Sequence, residues 1–285
     1  MSRRMRAYYY AVLGAMGGLI GWQISNVLGL SLFGSLLLSE VVVGALVGLC
    51  VGLLMGAAEG LLTCNAWRAT KAGVLSGLLG LVAGAIGLPL GEWLFLTIGA
   101  GSAGRIVGWA LFGLLVGLAE GLTGGTQLWK GALGGLVGGC LGGACLEVAR
   151  RWLQDPLYGK GVGLTLLGAS VGTFIALIVV LLSRAWLEVV SGKLKGSEFI
   201  LDKFMHAHGP APILGSDALK ADIALPDPDI AAQHAMLRGA GTHFLLKDMS
   251  ASGTFVDGRR IEQVRLSDRQ RIRMGNTELV YHERR

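Results

Sequence analysis

Long apolar runs occupy the first two thirds of the 285-residue chain, and short alternating patterns occupy the rest. A helix needs about 20 apolar residues to cross the hydrocarbon core of a bilayer. Runs of this length predict six spanning helices in a domain over residues 1–190, at about 7–28, 38–63, 72–98, 105–124, 130–149 and 163–190. After a predicted linker at 191–196, apolar and polar positions alternate in short runs over 197–285, which is typical of a β-sandwich. We therefore predict a multi-domain membrane protein, with an all-α polytopic domain followed by an all-β domain.

Glycine is concentrated in the predicted helices, because 39 of the 47 glycines precede residue 196. The glycines recur every three or four positions and so line one helix face, as at Gly44, Gly48, Gly52, Gly56 and Gly60. A face without side chains lets two helix backbones approach closely in lipid. This glycine zipper predicts tight packing within the chain. The alternative is a pore lining or an interface between copies of the chain, that is, a homo-oligomer.

The apolar segments also form an internal repeat. Residues 52–63 align with residues 113–124 at an offset of 61, and a glycine-rich segment follows each. The first and last segments fit the same two-helix unit loosely, so we predict three tandem helical hairpins. The alignment equates Glu59 with Glu120, and an ionisable side chain inside a membrane is a functional signal. We expect an ion pair of these carboxylates with Arg68, Lys71 or Lys130, and an ion or proton pathway is the alternative.

The formal net charge of +6 belongs to the predicted membrane domain. Residues 1–195 carry 13 Lys/Arg and 7 Asp/Glu, whereas the remainder carries 12 of each. Because the excess flanks apolar segments, it indicates contact with a lipid bilayer rather than with nucleic acid. Nine of the 13 cations fall on the N-terminal side of a six-crossing topology. This bias predicts a protein of the cell membrane with its N-terminus and C-terminal domain in the cytoplasm.

The C-terminal region contains motifs in a characteristic order. They are Ile213-Leu-Gly-Ser216, Ala231-Ala-Gln-His-Ala235, Phe244-Leu-Leu-Lys-Asp248 and Ser250-Ala-Ser-Gly-Thr-Phe-Val-Asp-Gly258. In these motifs the region resembles a forkhead-associated (FHA) domain, which implies a β-sandwich that reads phosphothreonine peptides. In that family an Arg, a Ser and an Asn make the contacts. The corresponding positions here are Ser216, Ala231 and Ser252, so all three depart from the pattern.

The resemblance also assigns roles to individual residues. It implies structural roles for Gly215, His234 and Gly253, and it places the partner-binding loops at Ser216, Lys220, Ala231, Ser250, Ser252 and Thr254. Each hydrogen bond to a charged group contributes about 1.5–3 kcal/mol. Loss of two such contacts weakens phosphate binding by about 10²–10⁴-fold. We therefore predict that the domain binds protein without requiring phosphate. The alternative is that Lys220 takes the place of the missing arginine in phosphate binding.

The function predicted from these features is that of an adaptor. The helices would anchor an FHA-like domain that recruits a cytosolic or membrane protein partner, as in signalling. The alternative is a channel or transporter that its FHA-like domain regulates, with Glu59 and Glu120 as the sensitive residues. No nucleotide loop, nucleophile–base pair or metal-ligand pattern is present in the sequence, so we expect no enzyme activity, no cofactor and no metal.

Overall fold

The computed structural model describes residues 3–29, 36–62, 66–98, 102–123, 128–153, 156–206 and 209–284. The chain divides into a helical unit, from Arg4 to Leu182, and a strand unit that begins at Ser183. This confirms the predicted succession of an all-α part and an all-β part.

Six helices make up the described part of the helical unit. They are α1 (Arg3–Val27), α2 (Leu36–Leu62), α3 (Ala66–Ile98), α4 (Ser102–Thr123), α5 (Leu128–Trp152) and α6 (Pro156–Leu181). Among the described residues, five helices, α2 to α6, are long and apolar enough to cross a membrane. Helix α1 has 25 residues but is not among the five.

The helices pack closely in antiparallel pairs through glycine. Between α2 and α3, a Cβ atom at Gly48 would overlap the carbonyl oxygen of Gly80, and the reverse also holds. The same reciprocal contact joins Gly113 of α4 to Gly135 of α5. A third pair combines α6 with α1 through Gly168 and Gly14, so it unites the two ends of the unit rather than forming a tandem hairpin.

Neighbouring pairs meet where a glycine faces a larger residue. Gly17 of α1 contacts Val51 of α2, Gly87 of α3 contacts Phe112 of α4, and Gly138 of α5 contacts Val171 of α6. The contacts therefore run from each helix to the next and from α6 back to α1. The even-numbered helices supply most of the buried apolar side chains of the helical unit, and α4 contacts both α2 and α6.

The strand unit consists of two sheets. Its strands are β1 (Ala185–Val189), β2 (Glu198–Ile200), β3 (Ile213–Gly215), β4 (Ile223–Ala224), β5 (Ala235–Gly239), β6 (Phe244–Asp248), β7 (Thr254–Val256), β8 (Arg259–Ile261), β9 (Gln263–Arg265), β10 (Arg271–Met274) and β11 (Thr277–Glu283). One sheet has the order β2-β1-β11-β10-β7-β8 and the other β4-β3-β5-β6-β9. Fully buried side chains such as Leu187, Leu214, Phe244 and Tyr281 form one core for both sheets.

The boundary between the units lies earlier than the sequence predicted. Helix α6 ends at Leu181, and residues 185–189, predicted as helix, form strand β1 between β2 and β11. Ala185, Leu187 and Val189 are fully buried in the sandwich core, which explains why this apolar segment belongs to a sheet. The predicted linker at 191–196 lies in the β1–β2 connection, where Gly196 N donates to Val189 O at 2.8 Å.

Candidate functional site

A buried histidine connects two loops at one end of the sandwich. His234 is 0 % exposed, and its Nδ1 accepts a hydrogen bond of 3.2 Å from the backbone N–H of Ala231. Its Nε2 lies 3.2 Å from Ser250 Oγ, which itself donates to Asp248 Oδ1 at 2.9 Å. Nε2 is therefore the donor, so the neutral tautomer fits both contacts. Burial lowers the pKa of His234, and this keeps the ring neutral near pH 7.

Asp248 at the end of β6 organises the loop that follows. Its Oδ1 accepts hydrogen bonds from the hydroxyls of Ser250 and Thr254, at 2.9 and 2.8 Å. Burial opposes the charge on Asp248, but these hydrogen bonds outweigh it and lower the pKa of the carboxyl. Gly253 N also donates to Ser250 Oγ at 3.0 Å. The loop is thus held from within by one carboxylate and one hydroxyl.

A second carboxylate, Asp227, joins the loop that contains Ala231 to a further turn. Asp227 accepts hydrogen bonds from Asn276 N at 3.0 Å and from Thr277 Oγ1 at 2.8 Å. It also accepts from Asp229 N at 3.0 Å within its own loop. Burial works against ionisation, yet these donors and the charge of Lys193 lower the pKa of Asp227. The β4–β5 loop is therefore fixed to the β10–β11 turn.

Three of the predicted partner-binding positions, Ser216, Ala231 and Ser252, lie on or beside the loops that these polar residues hold. Ser216 N donates to Ala231 O at 3.0 Å, so these two positions are adjacent. Ser252 is exposed, and its Oγ lies 3.5 Å from Ser250 Oγ. None of the three carries a positive charge. The predicted substitute, Lys220, is exposed, and its Nζ lies 4.0 Å from Asp217.

At two glycines of these loops a side chain could not be added without strain. A Cβ atom at Gly215 would overlap the carbonyl oxygen of Ala232 in the neighbouring loop. Gly253 has φ +84°, a value that residues with a side chain rarely adopt, and a Cβ there would meet the guanidinium of Arg260. These two positions, like His234, act on the shape of the loops.

Comparison with known proteins identifies this part of the chain. Residues 213–275 match the FHA domain family. This region is an FHA domain. We use that name for the whole sandwich from Ser183 onward. No curated protein matches the chain.

Solved structures also resemble part of the chain. The FHA domain of CT664 protein from Chlamydia trachomatis is 36 % identical, with 36 % of this chain and 100 % of that chain covered and a TM-score of 0.33. The FHA domain of a hypothetical protein from Arabidopsis thaliana is 20 % identical, with 35 % and 86 % covered and a TM-score of 0.32. The cytoplasmic domain of the T3SS sorting platform protein PscD from P. aeruginosa is 22 % identical, with 35 % and 80 % covered and a TM-score of 0.30.

The FHA domain also carries a cation at the predicted partner-binding loops that the motif pattern does not assign to the site. Arg260 Nη2 donates to Ala251 O at 3.1 Å, which places a guanidinium against the 249–253 loop. The register explains this position, since Phe255 pairs with Arg260 across the hairpin turn at Asp257-Gly258. A two-residue Asp-Gly turn predicts that pairing from sequence, so the signal was available.

Two predicted partner-binding residues belong instead to the interior of the loop. Thr254 is 0 % exposed, and its hydroxyl is engaged by Asp248, so it supports the loop and does not form its surface. The Ser250 hydroxyl is surrounded by His234, Asp248 and Gly253. Thr254 is the first residue of β7, and the strand alternation turns it inward together with Val256.

In the helical unit, Glu120 is buried at the meeting of three helices. It is 2 % exposed. Tyr10 OH of α1 donates to its Oε1 at 3.2 Å, and Ser76 Oγ of α3 donates to its Oε2 at 3.1 Å. Lys130, a predicted partner, is 1 % exposed and donates to Leu182 O at 2.7 Å, beyond the end of α6. The side chain of Glu59 lies outside the described part of the structure.

Proposed function

We propose that the chain is a membrane-anchored adaptor whose FHA domain binds a partner protein without requiring phosphothreonine. The observation that carries the proposal is a contrast within one loop cluster. Residues that hold the loops from inside, His234, Gly215 and Gly253, match the family pattern. Residues at the phosphate-reading positions, Ser216, Ala231 and Ser252, do not.

The energetics of phosphate recognition support independence from phosphate. Arginine binds a phosphate through two parallel charge-assisted hydrogen bonds, which neither Ser216 nor Ala231 can form. Loss of two contacts of about 1.5–3 kcal/mol each removes about 10²–10⁴-fold in affinity. Lys220 and Arg260 remain as cations beside the loops, and each is already near an acceptor, Asp217 and Ala251 O respectively.

The anchoring role is supported by the helical unit. Five of its described helices are long and apolar enough to span a bilayer. Helix α1 packs against α6 from Tyr10 to Gly18 and against α2 through Gly17 and Gly21, so its contacts extend along much of its length. We infer that α1 is the sixth crossing. The Lys/Arg bias then places the N-terminus and the FHA domain in the cytoplasm.

The adaptor proposal is tested with the full-length chain in detergent. We expect fluorescence anisotropy with phosphothreonine peptide libraries to show no phosphate-dependent binding in the micromolar range. A matched variant, Ser216→Arg with Ala231→Ser and Ser252→Asn, should gain phosphate-dependent affinity of about 10²-fold or more. Micromolar, phosphate-dependent binding by the unaltered chain would contradict the proposal. Loss of that phosphate-dependent binding in Lys220→Ala or in Arg260→Ala would then identify the cation that replaces the missing arginine.

A channel or transporter regulated by the FHA domain is the second candidate, and buried Glu120 is the observation that favours it. A carboxylate held by two hydroxyls among apolar helices is typical of proton or ion pathways. Flux through liposomes that is abolished by Glu59→Gln with Glu120→Gln would favour this candidate. Recovery of one specific cytosolic protein with the full chain, lost on mutation of the FHA loops, would favour the adaptor.

A further inference from the structure

A cavity of about 180 Å³ lies within the helical unit, and five successive helices each contribute a charged residue to its wall. These are Glu40 of α2, Glu92 of α3, Arg105 of α4, Arg150 of α5 and Lys160 of α6. Each of the five lies within about one turn of an end of its candidate span, so they meet at one face of the helical unit. Charges of both signs around one cavity make it a candidate site for a charged ligand.

The charges in the cavity are grouped by sign. Glu40 and Glu92 lie close enough to repel each other, and Arg105 and Arg150 repel each other in the same way. Behind the arginines, Glu147 is 7 % exposed and approaches both, at 3.8 Å from Arg105 and 3.6 Å from Arg150. Opposite charges also meet across the cavity, since Lys160 attracts Glu40, and Glu147 and Glu92 attract Arg150. A ligand that carries both charges could interact favourably with the carboxylates and with the guanidinium groups at the same time.

Two carboxylate oxygens at this cluster lack hydrogen bonds. Glu40 Oε2 and Glu147 Oε1 are buried, and neither accepts a hydrogen bond from the residues that the structure describes. The ion-pair distances of Glu147 exceed the 2.7–3.2 Å typical of N–H···O hydrogen bonds. A buried acceptor without a donor costs about 1–3 kcal/mol. The cluster is thus short of donors on the carboxylate side.

We propose that this cavity binds a small zwitterion that carries a primary ammonium and an acidic group, either carboxylate or phosphate. The ammonium lies between Glu40 and Glu92 and supplies the donor that Glu40 Oε2 lacks. The acidic group lies against Arg105 and Arg150, whose guanidinium groups form parallel hydrogen bonds to such oxygens. At about 30 Å³ per water molecule, the cavity has room for about six waters, which suits a ligand of amino-acid size.

The charge pattern excludes simpler ligands. A bare anion would leave Glu40 Oε2 without a donor and the Glu40–Glu92 repulsion in place, and a bare cation would gain nothing from Arg105 and Arg150. The same zwitterion chemistry occurs in a free α-amino acid and in the headgroup of phosphatidylethanolamine. The inference is independent of the adaptor role, since it concerns only the helical unit.

The test uses the full-length chain in detergent and in nanodiscs. Native mass spectrometry and thermal unfolding are recorded with L-alanine, phosphoethanolamine, phosphatidylethanolamine and, for comparison, methylammonium, inorganic phosphate and phosphatidylglycerol. We expect at least one zwitterion to bind and to raise the unfolding midpoint, and each bare ion to bind at least about tenfold more weakly. Binding of a soluble zwitterion identifies a solute site, and binding of phosphatidylethanolamine alone identifies a headgroup site.

Variants assign the binding to the cavity. Glu40→Gln and Arg150→Gln should each weaken zwitterion binding about tenfold or more, because each removes a charged hydrogen-bond partner. Glu40→Asp, which keeps the charge, should retain part of the affinity, and Lys71→Gln, an exposed cation on α3, should leave it unchanged. The proposal is overturned if no zwitterion binds, or if methylammonium or phosphate binds as tightly. The comparison of zwitterions with methylammonium and phosphate uses the unaltered chain, so it tests the proposal even where a variant fails to fold.

Discussion

Glycine has different roles in the two units of this protein. In the helical unit, Gly48 faces the carbonyl oxygen of Gly80, and there is no room for a Cβ atom. In the FHA domain, Gly258 has no other heavy atom within 4 Å of where its Cβ would lie, but its φ is +81°. The first glycine is needed because it has no side-chain volume, and the second because of its backbone conformation.

This difference reflects what holds each unit together. In the proposed membrane setting, lipid is as apolar as the helices, so burial of apolar surface does not drive the helices together, and close backbone contact must do so. The FHA domain excludes water from a core that spans both sheets, and its loops depend on polar residues such as Asp248 and Asp227. The two units should therefore respond to different substitutions.

The largest effect is expected when a fragment of the FHA domain begins after strand β1 instead of before it. A fragment of residues 183–285 should fold, whereas a fragment of residues 197–285 should not. The shorter fragment lacks β1, which lies between β2 and β11 and buries Leu187 and Val189 completely. Loss of each large core side chain costs about 2–5 kcal/mol, and a domain has only about 5–15 kcal/mol in total.

Near-ultraviolet circular dichroism and urea unfolding of the two fragments check this prediction. The longer fragment should show one cooperative transition, and the shorter should show none. Equal stability of the two fragments would show that β1 is dispensable, and the boundary between the units would then return to the predicted linker. The full-length chain in detergent provides the reference spectrum.

Most of the fold could be predicted from the sequence because apolar run length and strand alternation are local signals. Of the six described helices, α1 to α5 end within three residues of the predicted runs, whereas α6 ends nine residues before its run does. Strand β1 could not be predicted, since its apolar residues continue directly from the α6 run and its partner β11 lies about 90 residues later. Strands β8 and β9 have three residues each, too few for alternation to be visible.

The site was predictable only in part. The motif order located Gly215, His234 and Gly253, whose contacts are fixed by the sandwich. It did not separate Ser252 on the surface from Thr254 in the interior, because that distinction depends on which face of β7 turns inward. The charged cavity could not be predicted, since its residues come from five helices that only the packing brings together.

The second prediction concerns volume in the helical unit. Gly48→Ala should destabilise the helices by about 1–3 kcal/mol, because the added methyl group overlaps the Gly80 carbonyl and forces α2 from α3. Unfolding of the detergent-solubilised chain by sodium dodecyl sulfate measures the change. Gly159→Ala on α6 is the matched control, since the nearest described atom lies 3.6 Å from the added Cβ.

The same comparison has a counterpart in the FHA domain. Gly258→Asn should be tolerated better than Gly258→Val, because Asn adopts positive φ more readily and neither residue meets a clash. At Gly48, by contrast, Ala and Asn should both be harmful. If Gly48→Ala proved neutral, or if Gly258→Val matched Gly258→Asn, the proposed division between volume and conformation would fail.

The smallest effect is a pH dependence of the polar residues that hold the FHA loops. The pKa of His234 is lowered in the folded domain, so the unfolded chain takes up a proton first as pH falls below about 6.5, and stability declines there. The pKa values of Asp248 and Asp227 are also lowered, so their contribution is present above about pH 3.9 and is lost as pH falls further. Urea unfolding of residues 183–285 between pH 3 and pH 8 should therefore show two declines. His234→Asn should remove the upper decline and Asp248→Asn should reduce the lower one, and an unchanged upper decline in His234→Asn would assign it to another group.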